Sequence, residues 1–276
     1  MAADRRPRRS IPGEGFRARK QFGQNFLRDE NIIADIVAAI APDDQEVTVE
    51  IGPGMGALTR PVCRRLSHLH AVEIDRDLAQ RLRDDPVLGK CLTIHETDAL
   101  SFDFSSLKEE GKALKIFGNL PYNISTPLLF HLLSYGPLIS SMTFMLQKEV
   151  VDRLTASPGC KDYGRLSVMA QYRCRMYPLL AVPPEAFQPA PKVWSAVVRM
   201  EPWQEKPRTV ADESLLEAVT AAAFSQRRKT IANSLGDYLE AGDFADLGLD
   251  RQLRAEDLTV NQFADIADLV AARRSR

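Results

Sequence analysis

The hydrophobic pattern changes period several times along this chain, and each change marks an element. Apolar and β-branched runs at Val47–Ile51, 70–74, Leu92–Glu96, 113–117 and 139–146 read as strands, that at 113–117 as a buried one. Helical spacing predicts a helix over Glu30–Ile40 behind Asp29 as N-cap, and another beginning near Ala57. Further helices are expected at Ser125-Thr126-Pro127, over 147–154 and over Arg165–Gln171, with a loop at 157–163 between the last two. Strands alternating with helices predict a doubly wound α/β sheet. Residues 172–182 and 192–200 read as two more strands, a closing hairpin. Between them Pro183 to Lys192 holds too much proline for regular structure. After a linker at 201–208, carrying Pro202 and Pro207, the pattern is only helical. Leu215, Leu216, Val219 and Ala223 form one stripe, and 231–239 and 260–271 are two further helices. The division expected is a flexible arm at 1–20, an α/β domain at 21–203 and a helical domain at 204–276.

Composition narrows the class. At 276 residues with 45% apolar and 26% charged positions, the chain can bury a sizeable core. No apolar run approaches the ~20 residues of a membrane span, so no membrane role is expected. The start is basic and polar without an apolar centre, unlike a secretory signal. Cys63, Cys91, Cys160 and Cys174 have no paired spacing, and the histidines form no ligand pattern. A metal-free monomer in a reducing cytoplasm is the expectation. Net charge is −1, but its distribution is uneven: seven cations crowd residues 1–20, and Arg227-Arg228-Lys229 form a second cluster. Basic clusters on a neutral body point to a polyanion, whereas Arg273-Arg274-Ser275-Arg276 reads as a solvated tail.

The chemistry concentrates after the strands. Gly52-Pro53-Gly54-Met55-Gly56 is a glycine turn between a strand and a helix, a weak sign of a nucleotide site on its own. Glu73 follows Gly52 by 21 residues, at the end of the next strand, where a carboxylate can accept both hydroxyls of a ribose. Asp98, after the third strand, is a candidate acceptor for an adenine amino group. The glycines are two apart and lack the G-x-G-x-x-G spacing of a pyrophosphate site. This order is that of a class I S-adenosylmethionine-dependent methyltransferase rather than a dehydrogenase. Asn119-Leu120-Pro121-Tyr122 follows the fourth strand. It combines a short amide, a pre-proline carbonyl and an aromatic face, a set suited to a planar base bearing an amine. Phe187, in the proline-rich loop, either faces that base opposite Tyr122 or anchors the loop to the core.

Taken together, Gln24-Asn25-Phe26-Leu27, Glu50-Ile51-Gly52-Pro53-Gly54, the Asn119 to Ser125 stretch, Phe187 to Val193 and Ala223 to Thr230 resemble the ribosomal RNA adenine dimethyltransferases, most nearly the bacterial small-subunit type. The resemblance runs from about residue 17 to the last helices. It implies that Asn25, Leu27, Gly52, Glu73, Asp98 and Asn119 line an S-adenosylmethionine site. It implies dimethylation of two adjacent adenosines near the 3′ end of small-subunit rRNA, in the assembling 30S subunit. Asn119, Leu120, Pro121, Tyr122 and Phe187 would then serve the target base, and Arg227, Arg228 and Lys229 the RNA. Two alternatives stay open: a large-subunit adenine methyltransferase of the macrolide-resistance type, and an assembly checkpoint acting mainly by binding.

Overall fold

Residues 25–274 are described in the computed structural model; the basic arm and Gln24 lie outside them. In chain order the α/β part comprises β1 (Phe26–Leu27), α1 (Glu30–Ile40), β2 (Val47–Ile51), α2 (Thr59–Cys63), β3 (Leu69–Glu73), α3 (Arg76–Arg83) and β4 (Leu92–Glu96). It continues with β5 (Leu114–Asn119), α4 (Ser125–Leu133), β6 (Ile139–Gln147), α5 (Lys148–Thr155), α6 (Arg165–Gln171), β7 (Cys174–Val182), β8 (Phe187–Gln188) and β9 (Ser195–Pro202). The remainder is helical: α7 (Glu213–Phe224), α8 (Ile231–Ser234), α9 (Ala241–Asp246) and α10 (Val260–Arg274).

Seven strands form one sheet in the order β4-β3-β2-β5-β6-β9-β7. The first five are mutually parallel, and β9 runs antiparallel to both β6 and β7. After β4 the chain returns to lie beside β2, so the order reverses between β2 and β5. A crevice opens at the carboxyl ends of strands at such a switch point. Gly118 sets how closely the two strands approach, because a Cβ there would lie 2.3 Å from the carbonyl oxygen of Ile51. Any side chain would push β5 outward and carry Asn119 away from the glycine turn.

Both sheet faces are covered. Val49, Ile116 and Phe144 pack under α4 and α5, while Phe117, Met145 and Val197 pack under α1 and α2. Asp29 starts α1 as expected, its Oδ1 accepting the N–H groups of Asn31 and Ile32 at 3.0 and 3.1 Å. A third core joins α7 and α10 to Tyr163, Val168, Met169 and Tyr172 around α6.

Four expectations need correction. The 231–239 helix stops at Ser234, because Gly236 weakens the helical backbone and the chain turns there, still burying Leu235 and Leu239. The missed α9 follows, its start closed by Asp243 accepting the Glu240 N–H at 2.7 Å. Strand β9 runs on to Pro202, which shortens the linker. The proline-rich loop is not wholly irregular, since Phe187 and Gln188 pair with Leu27 and Phe26 as β8 against β1.

Candidate active site

The cleft lies where β2, β3 and β5 end, with Asn25 to Leu27 along one side. Gly52 and Gly54 follow β2 with φ of 65° and 57°, a left-handed backbone that glycine adopts without strain. Glu73 ties this turn to the end of β3. Its Oε2 accepts the Gly54 N–H at 3.2 Å and its Oε1 the Asp75 N–H at 2.9 Å. Burial raises its pKa, and those two backbone donors oppose the rise. Each carboxylate oxygen keeps a further lone pair, enough for two vicinal hydroxyls. Asp98 Oδ1 accepts the Leu100 N–H at 2.9 Å, and Oδ2 takes no hydrogen bond from the described residues.

Asn119 ends β5 facing the glycine turn. Its Nδ2 donates to the backbone carbonyl of Asn25 at 3.0 Å, so the amide is fixed with Oδ1 as the remaining acceptor. Leu120 buries its side chain and donates its N–H to Met145 O at 3.2 Å. Its own carbonyl takes no hydrogen bond from the described residues. The Tyr122 hydroxyl meets Ser195 Oγ at 2.7 Å, which locks the ring against the first residue of β9. One amide acceptor, one carbonyl and one fixed aromatic ring thus sit within a single four-residue turn.

Two sequence-derived candidates sit elsewhere. Phe187 is 4% exposed and packs with Leu27, Val182 and Val197, which anchors its loop to the core, and it is not among the residues lining the cleft. The backbone pairing of β8 with β1 draws it inward. Arg227 is exposed, but one guanidinium nitrogen is tied to the protein, donating to Lys161 O at 2.5 Å and lying 3.4 Å from Glu256 Oε2. Arg228 and Lys229 are exposed beside it.

Sequence reading missed four residues of the site. Ile74 is 48% exposed at the cleft, an apolar surface one position beyond Glu73. Ser195 and Gly118 act through Tyr122 and Asn119. Glu50 lines the cleft while 2% exposed, and its Oε2 is buried without a hydrogen-bond partner among the described residues. A charged residue within the run Val47-Thr48-Val49-Glu50-Ile51 was the available signal, since a buried strand has no ordinary use for one.

The residues present fit S-adenosylmethionine. A glycine turn whose backbone can be approached closely, a diol acceptor, an amine acceptor and an orphaned buried acid converge on one cleft. Among the described residues no group of His, Cys, Asp and Glu could hold a metal ion. With this switch point and these strand ends, the sheet is that of a class I S-adenosylmethionine-dependent methyltransferase.

Comparison with known proteins narrows the class. The family model for ribosomal RNA adenine dimethylase matches residues 15–272, and the chain belongs to that family. The Ribosomal RNA small subunit methyltransferase A of Shewanella sp. (strain W3-18-1) is 56% identical over 95% of this chain and 97% of its own length. The protein of the same name from Shewanella oneidensis is 55% identical over the same shares. Among solved structures, a dimethyladenosine transferase from Plasmodium falciparum shares the fold with TM-score 0.77 and 22% identity, over 91% of this chain and 98% of that one. The 23S rRNA methyltransferase ErmE aligns with TM-score 0.70 and 25% identity, over 90% of this chain and 100% of that one.

Proposed function

We propose that this enzyme transfers methyl groups from S-adenosylmethionine to N6 of two adjacent adenosines near the 3′ end of small-subunit rRNA, within the assembling 30S subunit. We further propose that it acts as a monomer in the cytoplasm. The observation that carries the reading is the Asn119 amide, held by Asn25 so that its oxygen is the acceptor beside the Leu120 carbonyl. The small-subunit target is favoured over the large-subunit one by 56% identity to a small-subunit methyltransferase, against 25% to ErmE.

An adenine N6 lone pair is delocalised into the ring, so the amine is a weak nucleophile. Asn119 Oδ1 and the Leu120 carbonyl accept its two hydrogens and favour a pyramidal nitrogen with its lone pair aimed along the cleft. Bound there, the cofactor supplies a sulfonium methyl that is electrophilic without metal activation. The glycine turn, Glu73 and Asp98 would hold that donor, and the chain's own part is to present N6 to its methyl group and let the surplus N6 proton pass to water. Holding the reactants in line can remove ~7–11 kcal/mol of the barrier in favourable cases. The two acceptors add stabilisation as positive charge grows on N6. Tyr122, its ring locked through Ser195, offers a face on which an unstacked base can rest.

The test is incubation of the full chain with labelled cofactor and small subunits lacking these methyl groups, followed by mapping of the modified bases. Two neighbouring dimethyladenosines near the 3′ end are expected. No label in the small-subunit RNA, with transfer to large subunits in a parallel incubation, would overturn the substrate assignment.

A further inference from the structure

Glu50 is a buried acid with no ion-pair partner among the described residues. It is the penultimate residue of β2, paired in register with buried Ala71 on β3 and buried Phe117 on β5. Its Oε2 has no hydrogen-bond partner among the described residues, and the buried hydroxyl of neighbouring Thr59 at the start of α2 is the side-chain donor that favours its charged form. Three titratable groups face it. Arg60 on α2 is occupied elsewhere: Nε and the second guanidinium nitrogen lie 3.0 Å from Asp85, and the first donates to Met55 O at 2.6 Å and Gly56 O at 3.1 Å. Glu73 on β3 adds like charge, and the Cys63 thiol on α2 is held neutral by burial.

An ionised carboxylate this deep, without a cation, costs several kcal/mol. Burial accordingly pushes the Glu50 pKa up to about 8, with the Thr59 hydrogen bond and the more distant Arg60 charge opposing the rise and Glu73 adding to it. Glu50 nevertheless lines the same cleft as Gly52, Glu73, Asp98 and Asn119. The methyl donor proposed for that cleft carries a net positive charge, from a sulfonium and an ammonium against one carboxylate.

We propose that Glu50 is a proton-linked counter-charge for the methyl donor: it carries a proton in the free protein and releases it to solvent when the cationic donor binds. The inference rests on the reading of the cleft as an S-adenosylmethionine site. The binding step balances, with one cation entering and one proton leaving. The chain thereby avoids holding a bare buried carboxylate between turnovers. By linkage, donor affinity climbs with pH as long as free Glu50 is protonated, and levels above its pKa.

Calorimetric titration of the full chain with S-adenosylmethionine, in two buffers of different ionisation enthalpy, counts the protons released. At about pH 7 wild type should release close to one proton per donor bound, and Glu50→Gln much less, any remainder coming from Glu73. The ratio of wild-type to Glu50→Gln affinity should rise roughly tenfold per pH unit between about pH 6 and pH 7.5. Equal proton release by the two proteins would overturn the assignment to Glu50. So would saturable binding to wild type with no release. If Glu50→Gln does not fold, wild type alone decides, because an affinity flat from about pH 6 to pH 8 is incompatible with the proposal. Failure of wild type to bind the donor at all would instead strike the cofactor reading, and this inference with it.

Discussion

At Asn119 one amide serves two directions, and both bear on the product. Nδ2 is spent on the Asn25 carbonyl at 3.0 Å, leaving Oδ1 for an incoming amine. After one transfer, N6 keeps a single hydrogen. A pair of neutral acceptors can hold it on one side while the first methyl occupies the space beside the other. An aspartate would hold the amine by a charged hydrogen bond whose loss penalises the second transfer more heavily. It would also set a carboxylate oxygen against the Asn25 carbonyl. Asn119→Asp is therefore expected to slow both steps and to accumulate monomethyladenosine, as read by mass spectrometry of digested RNA at partial turnover. An unchanged ratio of mono- to dimethyl product would refute the role given to the neutral amide. Glu73 is the other residue whose work is separable. Glu73→Ala removes an acceptor whose charged hydrogen bonds are worth ~1.5–3 kcal/mol each. It also frees the Gly54 N–H that the carboxylate holds. Cofactor affinity should fall at least tenfold in the folded variant, and calorimetry showing wild-type affinity would exclude the ribose role.

Among the elements, the turn between α7 and α8 shows how a basic cluster divides its labour. Arg227 bonds to Lys161 O and reaches Tyr163 O and Glu256, stitching the turn to the 157–163 loop. Replacing it with alanine should lower the melting temperature, at a cost of about 1 kcal/mol, and leave the salt dependence of RNA binding nearly unchanged. The double replacement of Arg228 and Lys229 should do the reverse. If both meet phosphates, the slope of log affinity against log salt flattens by about 2 units with stability retained. A slope that moves with Arg227 instead would reverse the assignment. Sequence could not separate the three, because adjacent cations look alike until their neighbours are known. The same contrast governs the elements at large. Strands β2 and β4 were legible to the residue because β-branched runs end in glycine or acid. Helix α1 was legible because Asp29 caps it. The pairing of β1 with β8 was not, since two-residue strands leave no period and their partners lie far apart in the chain. That unread ladder is what draws Phe187 into the core. Glu50 and Ile74 were missed for a related reason: their meaning depends on which strand ends come together to form the cleft.

Over the whole molecule, the boundary expected at residue 203 runs through a shared core. Tyr163, Val168, Met169 and Tyr172 come from the sheet-bearing part, yet they pack with Leu216, Val219, Phe263 and Ile266 of the helical part. Ala170 and Cys174, within the same stretch, belong to the core under the sheet. Polar ties cross at the same place: Arg173 meets Glu213 at 3.0 Å, and the Val210 N–H reaches the Tyr172 hydroxyl at 3.2 Å. Four large side chains cannot be uncovered cheaply, since each loses ~1.5–3 kcal/mol on exposure and a domain's whole margin is only ~5–15 kcal/mol. We propose that the two parts unfold as one cooperative unit, with α6 as the element both require. Leu216→Ala is a direct probe, because Leu216 is fully buried in the helical part and remote from the cleft. Truncating a buried leucine costs ~2–5 kcal/mol. In a cooperative molecule that loss lowers one transition, seen alike in far-UV circular dichroism and calorimetry, with van't Hoff and calorimetric enthalpies equal. Cofactor binding to the folded variant should stay near wild type. Two resolved transitions, with only the smaller shifted by Leu216→Ala, would show that the helical part melts alone and that α6 does not couple it to the sheet.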